Sequence, residues 1–349
     1  SPSKLSTSPS ELFNSNLEDK QGPFNQELQS SKAKSFQLEF IQTRSSSRNI
    51  ETKLISKAGQ DRLDTILEDM EKEVPLSEEY HYLNYVNSNY EISKIPELEK
   101  AYGIAADKTV YYDDFIAHFE LTGNKSKKAE FCKLLYESGS ISDGVLVYNF
   151  NVLMSIEKNG ILFVNGSDDT YPIWMHQLNN IRTDITILNT DLLGVDSYRK
   201  SKMLELGLKE TLNYNQDRMA YMKSIAKNNP KKPIYFGLTV SPTLIRELKA
   251  DLYLTGLALK FSTSAIDNVP ILQDNWENKF NTKTLHKEHQ NSTARKMNMN
   301  YMLPLLSLSD IYEIQGNKSE AILIRNLALN LAKEGGKEKV VKKYIDKRE

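Results

Sequence analysis

At 349 residues the chain is long enough for two or three domains, and with 39% hydrophobic and 26% charged residues it is globular rather than disordered. Its 45 basic and 46 acidic side chains leave a formal net charge of −1, which gives no electrostatic reason to expect nucleic acid or an anionic membrane as partner. No run approaches the roughly 18 to 20 apolar residues of a membrane span, and a single cysteine, Cys132, excludes an intramolecular disulfide.

Residues 1–55 are rich in Ser, Asn, Gln and Lys and carry few periodic apolar positions. Such composition buries too little apolar surface to offset chain entropy, so a disordered tether is expected here. The chain starts at Ser1, and a Ser-rich segment of this kind follows the acylated cysteine of a bacterial lipoprotein. A lipid anchor before residue 1 is therefore expected, with a plain disordered tail as the alternative.

Residues 56–158 read as helical hairpins. Phe119-Glu120-Leu121-Thr122-Gly123-Asn124-Lys125-Ser126 nearly repeats much later as Tyr312-Glu313-Ile314-Gln315-Gly316-Asn317-Lys318-Ser319. Each has an apolar-periodic helix on both sides of a Gly-Asn pair, and Gly and Asn tolerate the positive φ that ends a helix. The offsets fit a tetratricopeptide-type repeat of about 34 residues. One such unit is expected over residues 109–142, with Ala129 one place late. A weaker one spans 75–108 and is carried by Tyr85, Asn89, Leu98 and Ala101. Stacked repeats make a concave protein-binding surface. Tyr82, Asn89, Asp113 and Glu120 are the expected contact residues, Tyr82 first because aromatic side chains dominate interface hot spots. The alternative is that the hairpins only cap the central domain. Cys132 falls in a repeat helix and reads as packed rather than nucleophilic.

Residues 159–285 change period. Ile161-Leu162-Phe163-Val164 reads as a buried parallel strand, 184–189 as a second, 233–240 as a third and 253–261 as a candidate fourth. Intervening helices are expected from Pro172, from Val195 and from Gln216, which makes βαβ units. The fold class is thus an α/β domain with a short, mostly parallel sheet, flanked by all-α hairpins. Ligands of open parallel sheets bind beyond the strands' carboxyl ends. Those ends carry Asn165, Asp168, Asp169, Thr170 and Asp191, whose carboxylates could converge on a hard cation or a sugar hydroxyl. Alternatively Asp168, Asp169 and Thr170 only cap the helix expected to start at Pro172. No dinucleotide fingerprint, phosphate loop or nucleophile elbow is present. His286 and His289 lack a third ligand nearby in sequence. No catalytic residue, metal or cofactor is expected. Residues 286–349 form the last hairpin, with Tyr312, Gly316, Ala321 and Ala328 at repeat positions.

The run Ile161 to Trp174, ILFVNGSDDTYPIW, resembles the soluble C-terminal region of bacterial membrane proteins of the protein O-mannosyltransferase type. Arg182-Thr183-Asp184, Leu192-Leu193-Gly194, Pro233-Ile234-Tyr235-Phe236 and Leu254-Thr255-Gly256-Leu257-Ala258 continue the similarity in order, over about residues 145–342. Ser167-Asp168 stands where that family has an acidic-amide pair. The family's transferase chemistry lies in a transmembrane half, and no such segment occurs in these 349 residues. The resemblance therefore implies a periplasm-facing, outer-membrane-associated module rather than an enzyme, with a cytoplasmic location as the alternative. The expected function is a non-enzymatic scaffold with protein partners, such as a lipoprotein accessory of an outer-membrane export or gliding-motility assembly. The alternative is a glycan-binding or glycan-processing module.

Overall fold

The computed structural model describes residues 23–49, 53–287 and 291–346. The described residues fall into two compact units, one made of those up to Asn89 with 93–105, the other of 90–92 with those from Ala106 onward.

In the first unit, helices α1 (Pro23–Ser47), α2 (Lys57–Glu73), α3 (Glu78–Asn87) and α4 (Ile95–Ile104) share a core of Ala33, Phe40, Leu63, Ile66, Met70, Val74 and Leu83. Helix α1 corrects the expected disorder of residues 1–55. Ala33, Phe36 and Phe40 recur at helical spacing, and α2 supplies Leu63, Ile66 and Met70 as their partners. That stripe is too narrow to register in composition, and its stability comes from packing rather than from propensity. Residues 1–22 of the expected tether lie outside the described residues. Ser56 starts α2 by accepting the Gly59 amide at 3.2 Å, and Ser77 starts α3 by accepting that of Tyr80 at 3.1 Å. Helices α3 and α4 pair as a hairpin, with His81 Nδ1 2.6 Å from Glu97 Oε2.

The second unit opens with the hairpin α5 (Tyr112–Leu121) and α6 (Lys125–Glu137). Gly123 at its turn has φ 70°, and Gly316 has φ 80° at the turn between α14 (Met302–Ile314) and α15 (Lys318–Glu334), so both Gly-Asn pairs end helices as expected. Helix α7 (Asp143–Met154) leads to β1 (Ile161–Val164), α8 (Ser167–Leu178), β2 (Thr186–Asn189), α9 (Asp196–Leu206), α10 (Arg218–Asn228), β3 (Ile234–Gly237), α11 (Pro242–Glu247), β4 (Leu252–Leu254), β5 (Ala258–Phe261) and α12 (Val269–Asp274). Helices α13 (Ser292–Asn298) and α16 (Glu338–Asp346) flank the last hairpin. The unit is an α/β domain flanked by helical hairpins.

The sheet runs β2-β1-β3-β5-β4. Strand β1 is interior and wholly buried, and pairs in parallel with β2 (Ile161 opposite Thr186) and β3 (Ile161 opposite Ile234). The other two ladders are antiparallel, so the sheet is mixed. The segment 253–261 is not one strand but a hairpin. It reverses at Gly256, whose φ is 143° and where a Cβ would come within 2.4 Å of Ser155 Oγ. That hydroxyl instead accepts the Leu257 amide at 2.8 Å.

The expected boundaries near 158 and 285 are also corrected, because α5–α7 and the C-terminal hairpin belong to the same unit as the sheet. Polar ties across the domain explain this. Asn151 Nδ2 donates to Tyr301 Oη at 2.7 Å and to the Asn281 carbonyl at 3.0 Å. Tyr312 donates its hydroxyl to Glu277, before the last hairpin. No helix among the described residues is long and apolar enough to cross a membrane.

Candidate functional site

The chain leaves β1 for β2 on one side, then crosses to β3 on the other, so the carboxyl ends of β1 and β3 form the switch point where open α/β sheets take ligands. Helix α8 starts there at Ser167, earlier than the expected start at Pro172, and corrects the capping reading. Asp168 and Asp169 occupy its first turn, where carboxylates favour the helix dipole. Pro172 then sits inside the helix and has no amide for the Asp168 carbonyl. Asn149 Nδ2 takes that place, donating to the Asp168 carbonyl at 2.8 Å.

Asp169 lies between the two loops. It is 5% exposed, and its carboxyl accepts from the Thr239 hydroxyl after β3 and from the Asn165 amide after β1. Burial pushes that carboxyl up to about 7, with neighbouring Asp168 adding to the rise, against the pull of Thr239, Asn165 and Lys296. Thr170 and Asn189 are buried and mutually satisfied. Asn189 Nδ2 donates to Thr170 Oγ1 at 2.8 Å, its Oδ1 accepts the Asp191 and Leu192 amides, and Thr170 donates to the Gly166 carbonyl at 2.6 Å. Asn165 Oδ1 accepts from Thr190 at 3.2 Å. These contacts make Thr170, Asn165 and Asn189 the frame of the edge.

The three carboxylates expected together do not converge. Asp191 is 3.3 Å from Arg218 and belongs to a separate cluster with Tyr214. Asp113 from α5 joins Asp168 instead. The two line a cavity of about 270 Å³ with Thr109, Ser142, Tyr171 and Asn291. Burial pushes the Asp113 carboxyl up to about 6, and Asp168 adds to the rise. No group of three His, Cys, Asp or Glu side chains among the described residues is placed to hold a metal ion; His289 lies outside them. Cys132 is buried, and burial pushes its thiol up to about 12, which removes the thiolate that nucleophilic chemistry needs.

The expected protein contacts fare differently from one another. Glu120 is not on an open surface: its side chain is 11% exposed. It takes Lys128 at 2.6 Å and the Tyr198 hydroxyl at 2.8 Å, with Lys202 at 3.4 Å. Lys128 Nζ also lies 3.6 Å over the Trp174 ring. Burial raises the Glu120 carboxyl, but Lys128 and Lys202 outweigh it and hold the group below its ordinary value. This cluster clamps α5 and α6 to α8 and α9. Asp113 is half-buried and faces its cavity. Asn89 is exposed at a helix end with φ 52°, a turn role that Asn tolerates. Tyr82, half-buried in the first unit, lines a groove of about 490 Å³ together with Phe40, Ile41, Leu83 and Val86.

Sequence reasoning missed Asn149, whose only signal was a polar residue amid an apolar helix. It also missed the role of Arg182. That side chain donates to the Leu153 and Ile156 carbonyls at 2.9 and 2.8 Å and to both oxygens of Asp184, binding the end of α7 to the start of β2. The Arg182 hydrogen bonds hold Asp184 down to about 2.

Residues 147–205 match the family described as TMEM260-associated domain 2. The match runs from α7 through β1, α8 and β2 to α9, and so contains Asn149, Asp168, Asp169 and Asp191. No curated protein and no solved structure matches the chain.

Proposed function

We propose that this chain is a non-enzymatic binding protein that engages a protein partner through its helical hairpins. The observation that carries this reading is the groove beside Tyr82. A volume of about 490 Å³ over Phe40, Ile41, Leu83 and Val86 gives an aromatic side chain and an apolar floor in one place, and such a place is where binding energy concentrates. A periplasm-facing, outer-membrane-associated setting, as a lipid-anchored accessory of an export or gliding-motility assembly, is part of the same proposal and rests on the envelope-protein resemblance. The test is capture from native membranes with wild type and Tyr82→Ala, each checked for thermal stability. Loss of a defined partner at unchanged stability is expected. Unchanged capture by a folded variant would move the binding surface elsewhere.

The cavity between Asp113 and Asp168 favours a second reading, a glycan-binding module. Two carboxylates, hydroxyls, an amide and Tyr171 suit the hydroxyl groups of a sugar, and the similarity to a TMEM260-associated domain supports it. Asp168→Asn should then abolish sugar binding measured by titration calorimetry while leaving the melting temperature in place. An absence of heat with any monosaccharide tested on wild type counts against it.

A further inference from the structure

Inside the second unit two lysines share one carboxylate. Glu120 of α5 takes Lys128 of α6 at 2.6 Å, while Lys202 of α9 stands 3.4 Å from the same carboxylate. Each of these side chains is at most 25% exposed. One negative charge does not offset two positive ones that have been taken out of water. Burial lowers the Lys128 ammonium below its ordinary value, and Lys202 adds to the fall, against the pull of Glu120. The other carboxylate near Lys202, that of Glu205, is 3.5 Å away and 65% exposed, so water screens it. Both contacts of Lys202 are longer than a usual charged hydrogen bond, and its donors are left underused.

The same lysines line a cavity of about 360 Å³, a size within the range of small-molecule sites. Its charged wall is Lys125, Lys128 and Lys202 against Glu120 and Glu205, an excess of one positive charge. Lys125 is exposed and forms no ion pair among the described residues. Phe119, Leu178, Ile185 and Ile187 add apolar wall. A bare phosphate would gain nothing from those four side chains. An uncharged sugar would leave the excess ammonium where it is. An anion with a hydrocarbon body answers both parts of the wall.

We propose that this cavity binds a small organic acid, with one carboxylate on an apolar body about the size of an aromatic ring. The carboxylate takes Lys202 and Lys125 and displaces the exposed Glu205, and the body packs against Leu178 and Ile185. The Glu120–Lys128 pair stays in place as the fixed end of the site. The cavity shares no lining residue with the Tyr82 groove or the Asp113 cavity, and neither functional reading above depends on it.

The experiment is isothermal titration calorimetry of the full chain with phenylacetate, inorganic phosphate and phenethylamine. Phenylacetate is expected to bind, and to weaken as salt rises, while the other two give no comparable heat. Glu205→Gln removes a competing carboxylate and should tighten phenylacetate about threefold, and Lys125→Gln should weaken it about threefold. Lys202→Met should weaken it by at least about tenfold. Melting temperatures are measured beside each titration, and the two exposed positions keep the test decisive if Lys202→Met unfolds. Phosphate or phenethylamine binding as tightly as phenylacetate overturns the proposal. So does an absence of phenylacetate binding, or phenylacetate affinity that Glu205→Gln and Lys125→Gln both leave unchanged.

Discussion

Replacing Asp169 by Asn removes a titration while keeping an oxygen that can accept from Thr239 and Asn165. In the folded chain burial raises this carboxyl from its ordinary 3.8 to about 7. A group whose folded pKa lies above its unfolded one stabilises the protein fully below the unfolded value, and that contribution is lost as pH rises through the folded value. Wild type should therefore lose stability between about pH 4 and pH 7 through Asp169, by at most about 4 kcal/mol from the printed rise. Local relaxation and water entry reduce this to ~2 kcal/mol. Asp169→Asn carries no such slope. At pH 8 it should be more stable than wild type by about 2 kcal/mol, and near pH 4.5 the two should be close. Asp113, raised in the same direction to about 6, titrates in both proteins and cancels in the difference. Urea unfolding followed by tryptophan fluorescence is the assay. Trp174 and Trp276, the chain's two tryptophans, both lie in the second unit and report it alone. Parallel pH profiles, or a variant less stable than wild type at pH 8, would refute the reasoning. The second result would mean that Asp169 is ionised and held by Lys296.

Other expectations follow from single contacts. Asn149→Ala strands the Asp168 carbonyl that Pro172 cannot serve, at about 1–3 kcal/mol by urea unfolding; adding Pro172→Ala should restore part of the loss, and strict additivity of the two would sink this account. Gly256→Ala drives a Cβ into Ser155 and Phe280 at a φ of 143°, and should cost at least about 2 kcal/mol, with partial relief from Ser155→Ala. Ala321→Leu overpacks the α14–α15 hairpin, where Ala321 is fully buried, and should lower the melting temperature by an amount equivalent to about 1–3 kcal/mol.

Local signals made some of this protein legible in sequence. The short apolar run Ile161–Val164, bounded by Gly160 and Gly166, reads as a buried strand, and the Gly-Asn pairs at 123 and 316 end helices because few other residues accept positive φ there. The side-chain types gathered at the carboxyl edge were legible for the same reason, since βαβ order alone puts Asn165, Asp168, Asp169 and Asn189 at strand ends. Which of them face a cavity was not. Asp113 reaches Asp168 only because the α5–α6 hairpin docks on α8, and Asp191 turns away only because α10 brings Arg218 to it. Pro172 marked a helix start by its local preference, and a side chain on another helix, Asn149, allowed the helix to begin five residues earlier. Helix α1 looked disordered because a stripe as narrow as Ala33, Phe36 and Phe40 cannot hold a helix in water, and it is ordered because α2 gives that stripe a surface to bury against. Period and turn chemistry act between near neighbours and are written in the sequence directly; burial, pairing and shifted acidity depend on what distant segments bring, and only tertiary packing decided them.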